Sequence, residues 1–93
     1  MLAGAGCAAD PCRTTCADLA RSFGACLDGW GLTWEDLGAT SRAEWRAECS
    51  ADWESARAEL EARQLDDAEG RCDEASATLA ELDCAELWAL YQP

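Results

Sequence analysis

The chain has 93 residues, 19 acidic side chains against 7 basic ones, no histidine and a net charge of -12. That length supports one small domain, and the charge argues against nucleic-acid binding, which needs a basic face to displace counterions from phosphates, and against anionic membrane surfaces. A chain of this size buries only about 60–65% of the surface it exposes when unfolded, so its 7 cysteines read as staples, a usage that belongs to oxidising compartments.

Residue types set the fold class. Valine and isoleucine are absent, which leaves threonine as the one β-branched residue for building strands. Alanine, leucine, glutamate and arginine dominate, and these are strong helix formers. The expectation is an all-α protein: a disulfide-stapled three-helix bundle over about 11–28, 42–64 and 67–90, with a short helical turn at 33–37.

Residues 1–9, MLAGAGCAA, are small and apolar and far too short to span a membrane. They resemble the tail of a removed signal peptide, with Ala3-Gly4-Ala5 as a small-x-small cleavage site. Cys7 behind Ala5-Gly6 is also placed like the acylated cysteine of a bacterial lipobox, with Gly4 where that motif carries leucine. A disordered remnant is expected here, with Cys7 unpaired or lipidated. Residues 10–93 form a single helical domain.

The first helix opens on Asp10-Pro11, a good N-cap followed by the residue favoured at the first helical position. Its apolar face is Cys12, Cys16, Leu19, Phe23, Cys26 and Leu27, and Gly29 is the expected left-handed stop. Thr33 and Asp36 mark a short capped turn that ends at Gly38. Ser41 and Glu44 form a capping box for the second helix, whose seam is Trp45, Cys49, Trp53, Ala56 and Leu60. Glu44, Glu48 and Asp52 lie four apart on a neighbouring, solvated face.

The next turn is expected near Gln64–Asp66, because the paired acids Asp66 and Asp67 suit a helix start; Gly70 is the competing stop. The third helix carries two apolar stripes, Ala68, Cys72, Ala75, Leu79, Leu82 and then Cys84, Leu87, Trp88, Tyr91. Two stripes imply packing against two partners, as a three-helix bundle demands.

Cys12, Cys16, Cys26, Cys49, Cys72 and Cys84 all fall on or beside these faces. Helices rise about 1.5 Å per residue, so heights along the bundle can be matched. Matching favours the pairs 12–72, 16–49 and 26–84. A nested set, 12–84, 16–72 and 26–49, follows if the second turn lies at Gly70.

Cys12 and Cys16, four apart on one helix face, could instead offer two thiolates to Cu(I) or Zn(II). A structural zinc site needs further cysteine or histidine ligands, and the chain has no CxxC pair and no histidine. A nucleophilic cysteine lacks a neighbouring base for the same reason. No phosphate-binding glycine loop and no serine–histidine pair occurs, so neither catalysis nor a cofactor is expected.

The chain has 5 tryptophans. Trp45, Trp53 and Trp88 fit the helix seams and read as packing. Trp30 and Trp34 lie in or beside the Gly29–Thr40 loop, with Leu32 and Leu37 close by. Loops tend to carry function and exposed tryptophan marks hot spots, so Trp30, Leu32, Trp34 and Leu37 are the candidate partner-binding residues. Folding of this loop over the bundle top is the competing reading.

From Asp10 to Tyr91 the chain is similar to the small, alanine-rich, cysteine-stapled helical exported proteins and lipoproteins of high-GC bacteria. The absence of lysine and asparagine, with arginine as the only basic residue, fits the codon bias of such genomes. The resemblance implies a location, namely periplasm, cell envelope or outside the cell, and no activity. The expectation is an exported binding or interaction module, taking another protein or a small apolar ligand, without a membrane span. It would be a monomer, or a dimer through Cys7. Two alternatives stay open: a thiol-based metal or redox protein using Cys12 and Cys16, and a cytosolic acidic mimic of nucleic acid.

Overall fold

Asp10 does more than start a helix. Its Oδ1 accepts the Cys12 amide at 2.9 Å, and its Oδ2 accepts the Trp53 indole N–H at 2.8 Å and the Arg57 guanidinium at 2.6 Å. The computed structural model describes residues 10–92; the expectations for residues 1–9, Cys7 included, lie outside it. Helix α1 spans Pro11–Trp30, a single 3-10 turn Trp34–Leu37, α2 Arg42–Arg57, α3 Ala62–Leu79 and α4 Cys84–Tyr91. No strand occurs among the described residues, and the protein is an all-α, disulfide-stapled bundle.

Helix α1 is the spine. Helices α2 and α3 each pack along it and make little direct contact with each other. Residue pairs show the directions. Asp10 meets Arg57, Arg13 meets Glu54 and Phe23 meets Trp45, so α2 runs antiparallel to α1. Cys12 joins Cys72 and Thr15 meets Ser76, so α3 runs parallel to it. The Thr15 hydroxyl lies 2.9 Å from the Cys72 carbonyl and 2.8 Å from the Ser76 hydroxyl, which gives the α1–α3 seam a polar lock.

Three disulfides, Cys12–Cys72, Cys16–Cys49 and Cys26–Cys84, tie α1 to α3, α2 and α4. This is the height-matched set. The bridges close chain separations of 60, 33 and 58 residues, and each typically contributes about 2–4 kcal/mol, chiefly by restricting the unfolded chain. Internal disulfides of this kind mark an oxidising, non-cytosolic environment.

The staples matter because the core is thin. Its buried residues are Cys12, Cys16, Ala20, Phe23, Cys26, Leu27, Ala39, Leu79 and Leu87. Only Phe23, Leu27, Leu79 and Leu87 are large, and burying each contributes about 1.5–3 kcal/mol.

Helix boundaries differ from the sequence expectation at three places. Helix α1 passes through Gly29 and stops at Gly31, which holds the left-handed conformation at φ 71°. The turn after α2 lies at 58–61, ahead of both Gln64–Asp66 and Gly70. No glycine or proline marks it. The last amides of α2 shorten their reach, with Glu59 and Leu60 donating three residues back at 3.1 Å, and Gln64 then caps the Glu61 amide at 3.0 Å. Tertiary contacts place this break: Arg57 must reach Asp10 while Cys72 reaches Cys12.

Finally, the expected third helix is two. Asp83 Oδ1 accepts the Glu86 amide at 2.8 Å, and Glu86 Oε1 accepts the Asp83 amide at 3.0 Å. This capping box starts α4 afresh, so the described residues hold four α-helices. The break lets Leu87 turn inward beside Leu79 and Cys26.

Candidate functional site

Aromatic residues gather at the end of α1 opposite Asp10. Phe23, buried in the core, is their hub. Its ring centroid lies 5.3 Å from Trp45, 6.1 Å from Trp30 and 6.1 Å from Tyr91. Trp30 in turn lies 5.4 Å from Trp88 and donates its indole N–H to the Cys84 carbonyl at 3.2 Å. Each such edge or tilted pair adds about 0.5–1.5 kcal/mol beyond its burial.

The elements deliver these rings for local reasons. Phe23 and Trp30 share the α1 face that also carries Cys26, and the Cys26–Cys84 bridge draws the start of α4 onto it. The Thr33 amide donates to Asp36 Oδ2 at 2.8 Å, which closes the 3-10 turn and sets Leu37 beside Trp45. Gly38, left-handed at φ 86°, then releases the chain toward α2.

The aromatic end keeps apolar surface in solvent. Trp88 is 41%, Leu90 63% and Tyr91 39% exposed. Two depressions lie at this end, one lined by Tyr91 and the other by Trp88. One of about 360 Å³ is lined by Leu19, Phe23, Asp36, Leu37, Trp45 and Tyr91. The other, of about 320 Å³, lies between Trp30, Ala85 and Trp88. The first continues past Leu37 and Trp45 into a depression of about 320 Å³ that also borders Glu48, Cys49 and Asp52. A broader hollow of about 680 Å³ lies elsewhere, between Arg13 and α2. Its floor is alanine and serine, Arg13 pairs there with Glu54 at 2.5 Å, and Arg46 lines it as well, so it offers small and polar side chains and no apolar depth.

The four residues singled out in the loop have different fates. Trp30 lines the α4 depression and Leu37 the larger one. Trp34 packs on the core, with its Cζ2 3.2 Å from where a Gly24 Cβ would stand, so its seat depends on that glycine. Leu32 is half-buried and lines neither depression. Leu19, Phe23, Trp45, Trp88 and Tyr91, which had read as seams, complete the lining, and Leu90, which fell in no stripe, adds exposed apolar surface. A signal for α4 was available: Ala85, Leu87, Trp88, Ala89, Leu90 and Tyr91 make it apolar all round, which a helix covered on one face cannot bury.

Cys12 and Cys16 offer no thiolate to a metal, because their sulfurs are bonded to Cys72 and Cys49. Among the described residues no group of three or more His, Cys, Asp or Glu side chains could hold a metal ion. The environment that these bridges require also removes the basis for a cytosolic nucleic-acid mimic.

Charge is uneven around the site. Arg13, Arg21, Arg57 and Arg71 pair with Glu54, Asp18, Asp10 and Asp67. Glu48 and Asp52 enter no ion pair among the described residues. At the far end, burial would raise the pKa of Asp10, but the Trp53 indole, the Cys12 amide, the Arg57 guanidinium and the Arg13 amide outweigh it and hold the carboxyl below its ordinary value.

No family model, no curated protein and no solved structure matches the chain. Its function is therefore read from its own surface.

Proposed function

We propose that this protein is an exported, disulfide-stabilised binding module that engages a partner through its aromatic end and performs no catalysis itself. One observation carries the reading: a chain with few large core residues leaves Trp88, Leu90 and Tyr91 in solvent, with Tyr91 and Trp88 each lining an apolar depression. Exposed clusters of this kind mark interaction sites, and tryptophan and tyrosine are the residues that dominate binding energy at interfaces. The disulfides support a rigid module outside the cytosol. The resemblance to exported proteins of high-GC bacteria supports the periplasm, cell envelope or extracellular space as its place.

The test is site-specific photo-crosslinking in cells that export the chain. A photoreactive residue at Leu90 should give a discrete adduct, while the same residue at Ala77, exposed on α3, should give none. Equal labelling from both positions, or none from Leu90, would refute the reading.

A further inference from the structure

We infer that the trough running from Tyr91 past Leu37 and Trp45 to Asp52 receives a cationic amphipathic helix of a partner protein. This inference rests on the reading of the chain as a binding module and names the class of partner.

Shape comes first. The depression lined by Leu19, Phe23, Leu37, Trp45 and Tyr91 and the one that borders Glu48 and Asp52 share Leu37 and Trp45, so they form one continuous surface. Its floor is apolar and aromatic. Its α2 flank is acidic. An amphipathic helix lays its apolar stripe into such a groove and leaves its polar edges on the flanks.

Charge then selects among occupants. Glu48 and Asp52 stand one helical turn apart on α2, a spacing that faces lysine or arginine at i and i+4 on a partner helix. They border the groove, and among the described residues no arginine is paired to them. No basic residue lines either depression. The whole molecule, at -12, draws cationic partners toward it and speeds their encounter. A second copy of this chain would bring the same charge and the same acidic flank, which is why it is not the occupant. A neutral apolar molecule would leave Glu48 and Asp52 without a role.

The experiment uses the oxidised full chain and two fluorescein-labelled helical peptides of 18 residues. Both carry leucine and tryptophan on one face. One has arginine at i, i+4 positions along the border of that face, and the other has glutamate there. Fluorescence anisotropy should show binding of the arginine peptide only, weakening with salt as exposed charge pairs do. The double variant Glu48→Gln, Asp52→Asn should weaken it about tenfold, the effect of two partly exposed pairs. The variant Asp73→Asn, Glu74→Gln on α3 removes the same charge elsewhere and should leave binding within about twofold.

Equal binding of both peptides, or equal loss in the two double variants, would overturn the inference. So would a dimer in sedimentation that blocks the peptide, or binding of a neutral apolar dye with no peptide binding. If the arginine peptide fails while Leu90 still crosslinks to a partner, the partner class is wrong and the binding module stands. If Leu90 gives no adduct either, both fail.

Discussion

At the Asp10 end, Cys12–Cys72 and Cys16–Cys49 are joined by the Asp10–Trp53–Arg57 cluster and the Thr15–Ser76 contact. Among the described residues, no exposed large apolar side chain lies there. At the Trp30 end a single bridge, Cys26–Cys84, is combined with a cluster of aromatic rings, and three large apolar side chains remain exposed. Polar partners and covalent bonds close the first end upon itself. The second has more apolar surface than its own chain covers. The difference assigns stability to one end and recognition to the other, and it can be attacked by experiment.

The largest effect should come from the hub of the aromatic end. Phe23→Ala removes the ring that Trp30, Trp45 and Tyr91 share, and should cost about 3–5 kcal/mol in chemical denaturation. A cost below about 1 kcal/mol would mean that the rings do not depend on Phe23.

Paired removal of disulfides separates the ends next. Replacing Cys12 and Cys72 by alanine, or Cys26 and Cys84, should each cost about 2–4 kcal/mol, because the two loops have nearly equal length, 60 and 58 residues. Hydrogen exchange should tell them apart. Loss of Cys26–Cys84 should expose the amides of α4 ahead of the rest, while loss of Cys12–Cys72 should loosen the α1–α3 seam and leave α4 protected. Identical exchange patterns would erase the distinction.

Asp10 gives a smaller effect with a pH signature. Asp10→Ala removes a helix cap and should cost about 0.5–2 kcal/mol at neutral pH. The folded carboxyl titrates below its ordinary value, so the folded state prefers it ionised. Its contribution is present above the unfolded value, about pH 3.9, and is lost as pH falls through that range toward the lower folded value. The Asp10→Asn variant should therefore show a shallower loss of stability on acidification than the parent. An unchanged slope would show that Asp10 does not link the α1 start to α2.

Two substitutions should be nearly silent or favourable. Gly70 lies inside α3 with nothing near an added Cβ, so Gly70→Ala should raise stability by about 0.5–1 kcal/mol. A loss would indicate a close neighbour there. Leu90→Ala should change stability by no more than about 0.5 kcal/mol, because the side chain is 63% exposed, yet it should weaken partner binding. The reverse outcome would make Leu90 a packing residue and remove the functional contrast between the ends.

Several of these features were legible in the residues. Asp10-Pro11 announced the start of α1, Ser41 the start of α2, and heights along the helices matched the three cysteine pairs. Asp83-x-x-Glu86 carried the start of α4 in the same way, but the apolar stripe running through it favoured a single long helix. The turn at 58–61 had no comparable mark. Glutamate is a poor N-cap beside aspartate, serine or threonine, so Glu61-Gln64 competes weakly with Asp66 and Gly70. Trp30, Leu37 and Trp88 show the same limit for the site, since tryptophan or leucine at helical spacing serves equally as core or as surface.

Composition and local chemistry determined the all-α class, the caps and the cysteine faces, because helix propensity and capping act within a few residues. The tertiary structure alone decided where α2 turns back and which apolar residues stay in solvent. Both depend on how many neighbours α1 can seat at once. With α2 and α3 bound along its length, α1 covers α4 at Leu87 and leaves Trp88 and Leu90 outside.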